Sequence, residues 1–161
     1  METVTAAVDK GDSVDILYLD FQKAFDKVLR ERLLTQLVAH SFTDNLFKWI
    51  RSWLTDRKQR VVLNGACSNW AVVKSGVPQG SILGPLGFVI YINPLEDDIE
   101  TLTILSKFAD DSKGAKKIRS STDNSLMQTA IDKLSEWADK WSMKFNVSKC
   151  KIAFRQKQSK A

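Results

Sequence analysis

The sequence is poor in the residues that staple small proteins or ligate soft metals. Its two cysteines, Cys67 and Cys150, stand far apart with no CxxC or Cys/His pattern, which argues against a disulfide framework or a zinc site. The single histidine, His40, ends a helical pattern and has no evident triad partners, so it reads as a helix-end residue. The longest apolar run, residues 86–92, falls far short of the roughly 18 residues of a membrane span. The opening METVTAAVDKGDS is polar and carries both charge signs, unlike a signal peptide. An intracellular chain, in cytoplasm or nucleus and not secreted, is therefore expected.

What remains is 161 residues, one domain's worth of chain, with 43% hydrophobic and 27% charged residues. The formal net charge of +5 leans towards an acidic partner such as nucleic acid.

Along the chain, VDILYL (14–19) is a compact apolar run ending in Asp20 and predicts a buried strand. From Gln22 to Ala39 apolar residues recur at helical spacing, and Asp44 is placed to cap a second helix. RVVLN (60–64) and WAVVK (70–74), joined by GACSN, predict a hairpin. SGVPQGSILGP (75–85) predicts a loop running into a short FVIYI helix that ends near Pro94. LTILSKF (102–108) and SKGAKKI (112–118) predict a strand and its return, with Asp110 and Asp111 at the turn. A helix opens at Thr122 or Asp123, and its Trp137 and Trp141 belong to an apolar stripe. FNVSKCKIAF (145–154) closes as a strand, followed by a basic tail over 155–161.

Omitting the inserted hairpin and the extra helix, the order is βαββαβ, an α+β, ferredoxin-like layout over 14–154 behind a flexible leader at 1–13. In that layout the first and third strands are central neighbours, so Asp20 and Asp110 could meet. Carboxylates at buried strand ends need compensation, which a divalent metal supplies. Spacing alone leaves open that Asp110 and Asp111 merely make a turn and that Asp20 is a helix cap.

The local wording goes further. LDFQKAFD (19–26), SGVPQGSILGP (75–85), FADD (108–111) and FNVSKCK (145–151) occur in that order. Together they resemble the successive palm motifs of reverse transcriptases from LINE-type (non-long-terminal-repeat) retrotransposons, Jockey-like or chicken-repeat-like. The resemblance implies an RNA-directed DNA polymerase palm using two Mg²⁺ ions, for which Mn²⁺ may substitute. Its substrates would be an RNA template, a DNA primer and deoxynucleoside triphosphates; no protein partner follows from it. It assigns Asp20 and Asp110 as metal-binding catalytic carboxylates, with Asp111 a supporting acid and the Phe21 carbonyl a further metal ligand. Phe25 falls at the steric gate beneath the sugar. Gln79 and Gly80 fall beside the nascent base pair, Phe108 near the primer end, and Lys149 near the leaving pyrophosphate.

Gly87 and Pro94 depart from the pattern, where a larger apolar residue and an aspartate are usual. Upstream fingers and a downstream thumb are not recognisable, which leads to the expectation of an inactive catalytic-core fragment. Two other readings stand beside it: a non-catalytic nucleic-acid-binding remnant, and a translated fragment without selected function.

Overall fold

The computed structural model describes residues 2–96, 99, 102, 104–108 and 111–155. In chain order the elements are α1 (Glu2–Asp9), β1 (Ser13–Asp20), α2 (Ala24–Lys27), α3 (Arg30–Ala39), α4 (Asp44–Leu54), β2 (Lys58–Gln59) and β3 (Val62–Leu63). They continue with β4 (Ala66–Cys67), β5 (Ala71–Val72), α5 (Leu83–Ile92), a 3-10 turn (Asn93–Leu95), β6 (Ile104–Phe108), β7 (Asp111–Ile118), α6 (Ser121–Lys140) and β8 (Lys151–Arg155). The class is α+β. No helix of the described residues is long and apolar enough to cross a membrane.

The chain divides into two compact units, Met1–Gln22 with Asn93–Ala161, and Lys23–Ile92. The first is built on a four-stranded sheet in the order β6-β7-β1-β8. All its neighbours are antiparallel. By strand alternation Val14, Ile16, Tyr18 and Asp20 share one face of β1 and Leu17 and Leu19 the other; Val14, Ile16, Leu17 and Leu19 are buried, while Tyr18 and Asp20 are only partly so. Under the sheet, Phe21 stacks on Phe145 at 4.7 Å between ring centroids, and Trp137 of α6 stacks on Trp141 at 5.7 Å. The helix α6 begins at a capping box in which Asp123 accepts the Ser120 N–H at 3.0 Å, so that it opens at Ser121, one or two residues earlier than the sequence suggested.

Three further elements differ from expectation. The leader forms α1, because Val4, Ala7 and Val8 supply a small apolar face that packs on Val14, Ile16 and Ala115. The final strand is shortened to Lys151–Arg155. Before it, the Lys149 and Cys150 N–H groups both donate to the Asn146 carbonyl, closing a tight turn. In the second unit the helix expected from Gln22 is broken at Val28 and Leu29, both with extended ψ. The reason is tertiary: the Phe25 and Val28 carbonyls accept from Val77 and Gly76 of the distant 75–80 loop instead of from the helix.

The second unit packs α3 against α4 and α5 through Leu33, Leu37, Ile50 and Leu54, all buried. Its expected hairpin turns at Asn64-Gly65 and not through GACSN. Both turn residues have positive φ, 49° and 80°, the combination a tight two-residue hairpin requires. The inner ladder joins β3 to β4 and the outer joins β2 to β5, with Val61 and Ser68 bridging the gap.

Candidate active site

In the first unit, Asp20 ends β1 and Asp111 begins β7, and they are directly opposite one another in the antiparallel register. Like charges so placed repel. The compensation in the chain is Lys149, whose Nζ lies 3.1 Å from Asp20 Oδ2. The Asn146 turn delivers it, since the Asn146 N–H donates to the Asp20 carbonyl at 2.8 Å. Asp20, Asp111 and Lys149 line a concavity of about 310 Å³, rimmed also by Lys113 and Lys151. Lys113 stands 5.4 Å from the Tyr18 ring centroid.

Phe108 ends β6 opposite Asp111. Asp110, the other predicted catalytic carboxylate, lies outside the described residues. Among those described, no group of three or more potential ligands converges on one point. The donors that are present suit a hard divalent ion, being paired carboxylates on the open side of a sheet. Beside them the Ser112 hydroxyl is buried with no hydrogen-bond partner among the described residues.

In the second unit, the 75–80 loop is fastened to α2. The Ser75 hydroxyl donates to the Asp26 carbonyl at 2.8 Å, and Gln79 Nε2 donates to Asp26 Oδ1 at 2.9 Å. Gly76 has φ +91°, and a Cβ there would come within 2.9 Å of the Asp26 Cα and the Phe25 carbonyl oxygen, so only glycine fits. Gly80 also has positive φ, in open space. The Phe25 ring is half-buried and packs on Phe88 at 4.8 Å between centroids, so it also serves the packing of α2 on α5. Arg57 donates to the Leu54 and Gly76 carbonyls, tying the ribbon strand to the same loop. Burial, and next the charge of Arg30, lower its pKa from the usual arginine range.

Sequence reasoning missed Asp26 and Arg57. Asp26 closes the LDFQKAFD motif and could have been singled out there. The contact of Arg57 depends on tertiary folding alone.

The family model described as "Reverse transcriptase (RNA-dependent DNA polymerase)" matches residues 3–161. The chain is similar to the RNA-directed DNA polymerase from mobile element jockey of Drosophila funebris, 32% identical over 153 residues, 89% of this chain and 16% of that protein. It is similar also to the probable RNA-directed DNA polymerase from transposon X-element of Drosophila melanogaster, 31% identical over 153 residues, 92% of this chain and 17% of that protein. It thus spans about a sixth of the length of these relatives. Among solved structures, apo telomerase from Candida tropicalis, truncated from its C-terminal domain, superposes with a TM-score of 0.74. It is 14% identical, with 99% of this chain and 34% of that one covered, a likeness of fold. The match over nearly its whole length shows that the chain belongs to the reverse transcriptase (RNA-dependent DNA polymerase) family.

Proposed function

We propose that the chain is the palm of a LINE-type retrotransposon reverse transcriptase, a ferredoxin-like βαββαβ catalytic-core unit that supplies the carboxylate centre for template-directed nucleotidyl transfer. The observation that carries this reading is Asp20 opposite Asp111 across β1 and β7, with Lys149 on Asp20. Three residues from three separated motifs meet at one sheet end, which a chance resemblance of short motifs would not produce.

In the reaction, a primer 3′-oxygen attacks the α-phosphorus of a deoxynucleoside triphosphate paired to an RNA template. The new P–O bond forms as the bond to pyrophosphate breaks, and the 3′-hydroxyl proton passes to solvent water. Asp20, Asp110 and Asp111, with the Phe21 carbonyl, would hold two Mg²⁺ ions (or Mn²⁺), which supply charge stabilisation for the attacking and leaving oxygens. Lys149, held at Asp20 in this structure, would protonate the leaving pyrophosphate or stabilise its charge. Lys113 and Lys151 add positive potential for phosphates. Phe25 crowds a ribose 2′-hydroxyl and so favours deoxynucleotides. Asp26 orients the Gln79 amide, which with Gly80 lies against the nascent pair, and Phe108 supports the primer end.

The test is primer extension by the full chain on an RNA template with a DNA primer, in Mg²⁺ or Mn²⁺, alongside Mn²⁺ binding followed by electron paramagnetic resonance. Extension, or Mn²⁺ binding, that disappears in Asp20→Asn and Asp110→Asn is expected. A folded chain that neither extends a primer nor binds Mn²⁺ through these aspartates would sink the reading.

A further inference from the structure

The Lys23–Ile92 unit carries a basic surface that adjoins the Asp26–Gln79 contact and runs beyond the residues the catalytic reading uses. A concavity of about 930 Å³ is lined by Lys23, Lys27, Lys58 and Lys74, with Asp26 as its single carboxylate. That carboxylate is already engaged by Gln79. None of the four lysines is ion-paired among the described residues. Four unpaired ammonium groups around one hollow repel one another, so the hollow is a site for a polyanion.

The β2/β5 ribbon adds a second, independent feature. Its register pairs Lys58 with Val72 and Gln59 with Ala71, so Arg60 and Trp70 come next along the same ladder. By strand alternation they fall on the same side as Lys58 and Val72. The Arg60 guanidinium lies 4.7 Å from the Trp70 ring centroid, and Trp70 is 61% exposed. An exposed indole, with a guanidinium against it and lysines two and four residues away along the ribbon, serves no core. A basic hollow continuing into an aromatic platform is the arrangement that holds single-stranded nucleic acid. The cations follow the phosphates and the ring takes an unpaired base.

We infer that α2 and the β2/β5 ribbon form a single-strand-binding surface, in which Lys23, Lys27, Lys58 and Lys74 hold the backbone and Trp70, supported by Arg60, stacks on a base. This deepens the polymerase reading by naming a strand contact outside the carboxylate centre, and rests on that reading only for the partner being nucleic acid.

The test is fluorescence anisotropy of the full chain with a short labelled RNA of mixed sequence, beside a fully paired duplex of the same length, over a range of salt. Trp70→Ala is expected to weaken single-strand binding about fivefold or more, with little change in the salt slope and little effect on the duplex. Trp70→Phe restores most of the loss. Lys58→Gln with Lys74→Gln lowers the salt slope by about 0.7 for each phosphate contact removed. Asp20→Asn leaves strand binding intact, which separates this surface from the carboxylates. Single-strand binding equal to wild type in both the tryptophan and the lysine variants, with native circular dichroism, would overturn the inference. So would displacement of the strand by an equal concentration of deoxynucleoside triphosphate, which would assign the hollow to a free nucleotide. A chain that binds Mn²⁺ through Asp20 but no RNA strand sinks this inference alone. Trp70-dependent strand binding without metal binding sinks the polymerase reading alone.

Discussion

Asp20 and Asp111 are directly opposed across the β1–β7 pair, and the ion pair within their concavity joins Lys149 to Asp20, not to Asp111. The two carboxylates are therefore unevenly engaged: Asp20 holds Lys149 directly, while Asp111 makes no ion pair among the described residues, although Lys113 and Lys151 rim the same concavity. That asymmetry gives the site an appetite for a cation, which can be measured without any turnover.

Asp111→Asn removes the repulsion and leaves the Asp20–Lys149 pair in place. Without divalent ions the variant should be more stable than wild type by about 0.2–1 kcal/mol, the ordinary scale of a cross-strand pair. The rise in melting temperature that Mg²⁺ gives wild type should shrink. Thermal melts with Mg²⁺ and with chelator decide it; an Mg²⁺ response unchanged from wild type would show that Asp111 takes no part in cation binding.

Lys149 competes with a cation for the same Asp20 oxygen. Lys149→Ala should therefore bind Mn²⁺ more tightly than wild type while extending primers more slowly. Destabilisation should stay below about 1 kcal/mol, because the lysine side chain is 64% exposed and the pair is screened by water. Mn²⁺ titration and extension rates check the two halves separately. Weaker Mn²⁺ binding in the variant would mean that Lys149 organises the centre instead of occupying it.

Much of this arrangement was legible beforehand. The apolar run before Asp20, the strands Ile104–Phe108 and Asp111–Ile118 and the tryptophan stripe of α6 are local patterns, and local periodicity reports them directly. What stayed hidden depended on partners distant in sequence. The break at Val28 follows from carbonyls captured by Gly76 and Val77, which no helical spacing reveals. The Asn64-Gly65 turn was a local signal that went unread, although Asn-Gly readily takes positive φ at both positions. The Asn-x-x-Lys pattern was read as strand, whereas Asn146 ties it into the turn that aims Lys149.

Two glycines of α5 give opposite outcomes for the same substitution. A Cβ on Gly84 would lie 2.4 Å from the Pro78 carbonyl oxygen, a backbone atom that cannot yield. Gly84→Ala should then cost about 1–3 kcal/mol through overpacking, despite alanine's better helix propensity. At Gly87 the nearest atoms are Leu33 Cδ2 at 3.4 Å and Val77 Cγ1 at 3.6 Å, ordinary contact distances. Gly87→Ala should stabilise by about 0.5–1 kcal/mol. Urea denaturation of the two variants tests the packing of the 75–85 loop on its helix. A stabilised Gly84→Ala would mean that the Pro78 carbonyl does not sit against the helix.

Two aspartates flanking the start of β1 should bend the acid stability curve in opposite senses. Arg119, then Lys117, hydrogen-bond to Asp12 and hold its pKa below the usual 3.8. An acid depressed on folding contributes stability that is present above its unfolded pKa and is lost as pH falls through the folded value. Asp15, by contrast, is raised above 3.8 by burial. Its folded form keeps the proton more tightly than the unfolded chain, so it destabilises at neutral pH and the penalty fades as pH falls through the folded value. Asp12→Asn should therefore lose less stability than wild type between about pH 5 and pH 2.5. Asp15→Asn should be more stable than wild type at pH 7, with the advantage gone in acid. Urea midpoints at the three pH values measure both slopes. An Asp12→Asn curve parallel to wild type would show that the Asp12–Arg119–Lys117 cluster, which joins the chain entering β1 to the end of β7, does not hold in solution.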